Sequence, residues 1–437
     1  MKNINKLTQT SGEYPAEKLP STGHDPLLAH QVLSDVLSTF DGPVSVKLWN
    51  GEEITNHDHP LCTVVFRQPE ALRDLLWRQD VVKLAEHYLA GTIEIEGELE
   101  RVFELAEYLE QVKIPRSVKM RALWFVATLP RGRRTKALNA ARSGANTHVN
   151  SSDSIAHHYD VGNDFYRLWL DPEMVYSCAY FKDEQQTLAA AQQDKLDYIC
   201  RKLRLQPGQK LLDIGCGWGA LIRWAARHYG VSAHGITLSE QQYTLAHERI
   251  QSEGLQDQVS VELRDYRDLP HDKHYDRIVS VGMFEHIGIN NFPVYFSTVS
   301  RLLKPGGLFL NHGITNDTGW TNTPFTKFVN DYVFPDGELA RISDVSAAME
   351  AAGFEIIDTE GLRRHYALTL RRWIQALDSR RQEAIAVTNE VSYRLWRLYM
   401  AGSAYFFERG STGIYQVLAG HRNQPLSVPL RRNDLYE

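Results

Sequence analysis

The sequence predicts an α/β protein: a doubly wound parallel sheet with helices on both faces, preceded by a smaller α+β domain. Three observations carry this. Residues 210–219, KLLDIGCGWG, run from apolar Leu211 and Leu212 through Asp213 into Gly215, Gly217 and Gly219. The helical pattern of 220–229 follows at once, so the stretch reads as strand, tight turn and helix. Beyond it, short apolar runs alternate with helical patterns at the lengths of βαβ units. Upstream, a basic run over 111–142 separates this part from a shorter stretch of mixed helices and strands.

In order, residues 1–25 are polar and contain Pro, Ser and Thr, the composition of a disordered N-terminus without the apolar core of a signal peptide. A helix is expected over 30–37, and strands over 44–48 and 62–66 around the turn residues Asn50-Gly51. Helices are expected over 70–77 and 81–89. A strand through Ile93 and Ile95 leads into an amphipathic helix from Glu98. No catalytic spacing occurs here, and 26–110 reads as the small domain. Residues 111–154 read as a basic linker: Lys113, Arg116, Lys119, Arg121, Arg131, Arg133, Arg134, Lys136 and Arg142 are uninterrupted by Asp or Glu and surround Trp124 and Phe125. Two readings stand for it, a surface for anionic membranes or a solvated linker with one buried apolar helix. Its last part, 143–154, is small and polar.

Residues 155–437 read as the second domain. An aromatic-rich segment, 155–181, precedes a helix over 188–203 and the glycine turn. Strands over 233–236, 259–263, 275–281 and 307–311 alternate with helices over 239–252 and 291–303 and an acidic turn at 265–268. A strand over 354–359, helices over 367–377 and 383–401, and a strand over 413–419 complete it.

The chain has 437 residues and a formal net charge of −6. With a pI near 6.3, this argues against wholesale nucleic-acid binding while allowing local basic patches. No stretch approaches a membrane span of about 18 apolar residues. Cys62, Cys178, Cys200 and Cys216 show neither CxxC nor zinc spacing, which fits a reduced, cytoplasmic compartment and no metal.

Glycines in the 215–219 turn let the backbone approach a ligand closely. The GxGxG spacing after Asp213 resembles the first signature of S-adenosylmethionine (SAM) methyltransferases, a Rossmann-like fold, with the acid near the amino-acid end of SAM. Ligands of doubly wound sheets bind at strand carboxyl ends. Thr237, Leu238 and Gln242 after the second strand are therefore expected to reach ribose and methionine, and Asp265, Tyr266 and Arg267 after the third to stand where adenine is held.

Longer stretches narrow this. YDVGNDFYRLWLDPEMVYSCAYF, LLDIGCGWG, TLSEQQ, DYRDL, VSVGMFEHIG and HYALTLRRW resemble the cyclopropane-fatty-acid synthases continuously from about His157 to about Gly420. The N-terminal part resembles, more loosely, the lipid-associated domain of the bacterial enzymes. The resemblance implies transfer of the SAM methyl to a cis double bond of a phospholipid acyl chain, a carbocation, loss of a proton from the new methyl carbon to bound bicarbonate, and ring closure. It implies a pocket of Cys178, Glu285, His312, Ile314 (through its N–H) and Tyr366, with Glu285 orienting the anion's ligands, and Tyr176 and Ser177 beside SAM. It also implies a cytoplasmic protein on the inner membrane surface, and leaves a homodimer open.

By their types alone, Cys178 is equally a small buried residue, His312 a satisfied core histidine and Glu285 a helix cap; His286 reads as supporting, and His157 and His158 as structural, near the substrate or cofactor entrance. Many family members carry a cysteine, once proposed as a nucleophile, where this chain has Ser403, so no thiol route exists there. Two other outcomes stay open: a methyl-branched or methylene product, or an inactive lipid-binding protein.

Overall fold

The computed structural model describes residues 26–78, 80–128, 162–272, 274–319, 321–334, 337–426 and 428–436. Helix α1 (Pro26–Leu37) opens the small domain. Strands β1 (Val44–Lys47), β2 (Glu53–Ile54) and β3 (Cys62–Phe66) follow, then helices α2 (Pro69–Arg78) and α3 (Val81–Leu89), strand β4 (Ile93–Gly97) and helix α4 (Val102–Gln111). The sheet order is β2-β1-β3-β4, with β1 and β3 parallel. β3 buries Cys62, Val64 and Phe66 and turns Thr63 and Val65 outward, the alternation of a sheet covered on one face.

Beyond 110 the chain stays packed on the small domain. Helix α5 (Arg116–Thr128) packs on α1 and α2 and buries Val118, Ala122, Phe125 and Val126. This is the buried apolar helix of the second linker reading: apolar residues three and four apart give the helix a face to bury. The rest of the expected linker, with Arg131, Arg133, Arg134, Lys136 and Arg142, lies outside the described residues, as do 1–25, His157 and His158.

The second domain begins with the short helix α6 (Asn163–Tyr166), α7 (Leu188–Lys202), β5 (Lys210–Ile214), α8 (Ala220–Tyr229), β6 (Ser232–Thr237), α9 (Glu240–Ser252), β7 (Val259–Leu263), β8 (Tyr275–Val281), α10 (Phe292–Leu302) and β9 (Leu303–Asn316). It closes with α11 (Pro324–Tyr332), α12 (Ile342–Ala351), β10 (Phe354–Gly361), α13 (Arg363–Ser379), α14 (Arg381–Val387), α15 (Glu390–Arg409) and β11 (Thr412–His421). The seven-stranded order is β10-β11-β9-β8-β5-β6-β7. β5 to β9 are parallel, whereas β11 runs antiparallel to both β9 and β10, so the expected all-parallel sheet holds only in its first five strands. The chain winds outward from β5 to β7 and then restarts on the other side at β8, which opens a crevice at the carboxyl ends of β5 and β8.

Neighbouring strand residues serve opposite cores. Leu211, Leu308 and Leu310 pack with α7, α8 and α9 on one face, while Leu212, Phe309 and Val417 pack with α10 and α12 on the other. β9 runs on to Asn316 because β11 pairs with it from Leu308 to Asn316, carrying polar Asn311 and His312 inside the sheet. The helix expected over 383–401 is two helices. Asn389 accepts from Ser392 N–H and caps α15, which breaks the run before it.

The two domains share one core, in which Leu75, Tyr88 and Leu105 are continuous with Phe165, Trp169, Trp373 and Trp396. Arg394 pairs with Glu94 at 2.7 Å and Arg371 holds Glu100 through two bonds of 2.8 Å. These bidentate pairs fix α13 and α15 against the small domain. No helix among the described residues is long and apolar enough to cross a membrane.

Candidate active site

Two cavities meet in the crevice. The first, about 1100 Å³, is lined by the segment Met174–Ser177, the ends of β5, β6 and β8, the turn after β7, and α7 to α9. The turn after β5 is held because Gly215 and Cys216 both donate to Ile236 C=O, at 3.0 and 2.9 Å. Gly217 has φ +55, lines the cavity, and a Cβ built on it meets no protein atom within 4 Å. The space it leaves belongs to whatever the cavity takes. Asp213, one residue before the end of β5, has its carboxylate buried and Oδ1 unpartnered among the described residues. Burial pushes this carboxyl up to about 7, against the opposing influence of Lys195. Thr237 donates to Gln242 Oε1 at 2.7 Å, which leaves the Gln242 amide N–H groups without a partner among the described residues.

Tyr176, Ser177, Asp213, Gly215, Gly217, Thr237, Leu238, Gln242 and Tyr266 all line this cavity. Two expected residues do not. Gly219 (φ +79) instead lets α8 and α9 approach, since a Cβ there would stand 3.1 Å from that of Ala246. Arg267 turns outward and grips Asp265 through Nε at 2.9 Å and Nη2 at 2.7 Å, so Arg264 and Asp265 line the wall beside Tyr266.

The second cavity, about 1150 Å³, shares Tyr176, Ser177, Val281, Gly282 and His286 with the first. Cys178, Glu285, His312, Ile314 and Tyr366 all line it, brought from four separate elements, with His312 and Ile314 both on β9. Glu285 sits in a 3₁₀ turn (Phe284–His286) after β8 and accepts from Ile314 N–H at 2.7 Å. That amide, expected to serve an anion, is therefore committed to Glu285. Glu285 Oε2 has no partner among the described residues, and burial raises the carboxyl to about 7. His312 lies inside β9, directly opposite Gln416 of β11, whose amide nitrogen is 3.4 Å from Nδ1. An amide N–H donates, so Nδ1 accepts and the proton of neutral His312 is on Nε2, which is unpartnered among the described residues. Burial holds the imidazole well below its usual range. Cys178 is fully buried, its thiol donates to Ala179 C=O, and burial pushes its pKa far up, so it is no thiolate. Tyr366 packs on Phe407 with ring centroids 4.6 Å apart. Ser403 lines the same cavity.

A third, largely apolar cavity of about 1330 Å³ lies between the small domain and α11 and α15. Phe325 lines both it and the second cavity.

Three contributors escape the sequence reading. Lys195 is buried at the first cavity; its signal was a lysine in the apolar stripe of Ala191 and Ile199. Gln416 is a polar residue within the apolar strand 413–419. α11, which walls the second cavity, begins at Thr323-Pro324, a cap followed by Pro in the first turn.

Residues 146–417 match the family model described as mycolic acid cyclopropane synthetase, and 30–113 match a domain of unknown function. A probable fatty acid methyltransferase of Pseudomonas putida is 39% identical over 92% of this chain and 99% of its own length. The cyclopropane-fatty-acyl-phospholipid synthase of Escherichia coli strain K12 is 41% identical over 60% of this chain and 66% of its own. Among solved structures, mycolic acid cyclopropane synthase CmaA1 complexed with SAH and CTAB is 36% identical with a TM-score of 0.58, covering 61% of this chain and 97% of that one.

Proposed function

This chain belongs to the mycolic acid cyclopropane synthetase family of SAM-dependent methyltransferases, and from that premise we propose that it closes cyclopropane rings on cis double bonds of phospholipid acyl chains. The observation that carries the reading is the seam: a cofactor-type cavity and an acyl-type cavity share five lining residues, so a methyl donor in one faces a chain in the other.

The first cavity fits SAM. An unpartnered buried carboxylate oxygen on Asp213 suits its cationic end, and Gly217 leaves room for it. When bound, SAM supplies the electrophilic methyl group. The apolar lining of the second cavity, with Phe325 joining it to the third, suits a long acyl chain and excludes water. The ring faces of Tyr366 and Phe407 favour the carbocation by cation–π attraction.

The donor set also fits a small oxyanion. When bound, bicarbonate supplies the base for the proton of the new methyl carbon. His312 Nε2–H donates to it. Ile314 N–H acts indirectly, by fixing Glu285. An anion beside a buried carboxyl that already titrates near 7 raises it further, because two adjacent negative charges share a proton. Glu285 is thus a carboxylic acid in the loaded site and donates from Oε2, rather than facing the carbocation as a charge. Cys178 is a neutral part of the wall.

Substrate in a bilayer requires a membrane surface. On α5, Met120 and Trp124 are each 67% exposed and Leu123 is 42% exposed, beside exposed Arg116 and Lys119. Spacings of three and four put the apolar three on one face, a pattern suited to anionic headgroups.

Incubation with SAM and unsaturated phospholipid vesicles, read by mass spectrometry, tests the function. The expected result is a gain of one CH₂ per modified chain with proton NMR signals of a ring. The Pseudomonas putida relative's name, fatty acid methyltransferase, favours a second reading with a methyl-branched or methylene product; CH₂ gain without ring signals would select it. No gain would overturn both.

A further inference from the structure

Lys195, midway along α7, is 2% exposed. Its Nζ donates to Ser177 Oγ at 2.8 Å, and it makes no ion pair with a carboxylate among the described residues. Asp171 offers none, since its oxygens accept from Val175 N–H at 2.8 Å and Glu173 N–H at 3.0 Å. Asp171 and Asp213 act on Lys195 only at a distance, and burial lowers its amine to about 8. A buried ammonium not hydrogen-bonded to a carboxylate is unfavourable, and a ligand carboxylate would supply that partner. Lys195, Ser177 and Asp213 all line the first cavity, and Asp213 keeps Oδ1 unpartnered. A buried cation and a buried anion on one cavity wall, held apart instead of joined, match a ligand end that carries both charges.

We propose that Lys195, together with Ser177, holds the methionyl carboxylate of SAM while Asp213 faces its ammonium, so that the site reads the amino-acid end as a zwitterion. This rests on the SAM reading above. Lys195 thereby becomes a cofactor-binding residue. Ser177 lines both cavities, so anchoring the carboxylate there fixes the methionyl arm at the seam, where the methyl is delivered.

Calorimetry of the full chain with SAM and with decarboxylated SAM, which keeps the sulfonium and the amine but lacks the carboxylate, tests this. The wild-type chain is expected to prefer SAM by about 10- to 100-fold, the range of a charge-assisted hydrogen bond. Lys195→Gln keeps a donor for Ser177 and removes the charge. It should weaken SAM by a similar factor and decarboxylated SAM by less than about threefold, erasing the preference. Equal losses for both ligands would mean a structural role and overturn the proposal. So would a wild-type chain that binds both equally, a comparison that needs no variant to fold. A wild-type chain that binds neither would overturn the SAM reading itself, and the proposal with it.

Discussion

The first and second cavities share a seam but are built in opposite ways. The first is made by turns that immediately follow consecutive strands: 215–218 after β5, 237–242 after β6 and 264–266 after β7. Each wall is local, so each could be read from a short stretch. The second gathers Cys178, Glu285, His312, Tyr366 and Ser403, which only the tertiary fold brings together. The first cavity accordingly depends on backbone shape, and the second on the protonation and burial of a few side chains. Variants can separate the two.

The largest effect belongs to the backbone. Gly217→Val should abolish SAM binding in calorimetry, because a branched side chain fills the cavity and φ +55 is unfavourable for it. Unchanged affinity would break the distinction.

Glu285→Leu comes next. It should lower turnover roughly 100-fold, the scale of losing a preorganised donor, with SAM affinity unchanged. Loss of SAM binding here would mean the cavities are one unit.

On the membrane side, Trp124→Glu should weaken co-sedimentation with anionic vesicles about tenfold, from the apolar contact and the added negative charge, and leave SAM binding intact. Binding should weaken with salt. Unaltered sedimentation would make α5 a purely packed element.

Glu285→Gln should be milder, within about tenfold of wild-type turnover, because its amide still donates. It should also remove a pH dependence. Wild-type kcat/KM should fall as pH rises past about 7, the value of Glu285 in the free site. Its kcat should fall only at higher pH, because the bound anion raises that value, and the variant should lack both limbs. Stability supplies the sign check. The folded pKa stands above the ordinary 4.5, so the folded state binds the proton more tightly. The cost of ionising Glu285 is absent below pH 4.5, grows up to about 7 and is full above it. Thermal unfolding should therefore show Glu285→Gln stabilised by roughly 3 kcal/mol at pH 8 and not at pH 4. Ser403→Ala should change turnover least, within about twofold, as expected for a wall residue without a charge to place.

The same contrast explains what could be read in advance. Strand β8 and helix α3 fall on the expected residues because their apolar periodicity is local. Asp213, Gly217 and Gln242 were legible for that reason. The antiparallel β11 was not, since its direction is decided by pairing with β9. That pairing also buries His312 opposite Gln416 and shapes its tautomer. Arg267 misled because its neighbour Asp265 competes for it. The commitment of Ile314 N–H to Glu285 could not be read from residues 29 positions apart.

The central claim is that the proton leaves the transferred methyl carbon inside the second cavity. SAM carrying a trideuterated methyl group, incubated with unsaturated phospholipid vesicles and this protein, tests it most directly. The account predicts a ring carbon that retains two of the three deuteriums, by mass spectrometry and deuterium NMR. A product that retains all three would contradict it.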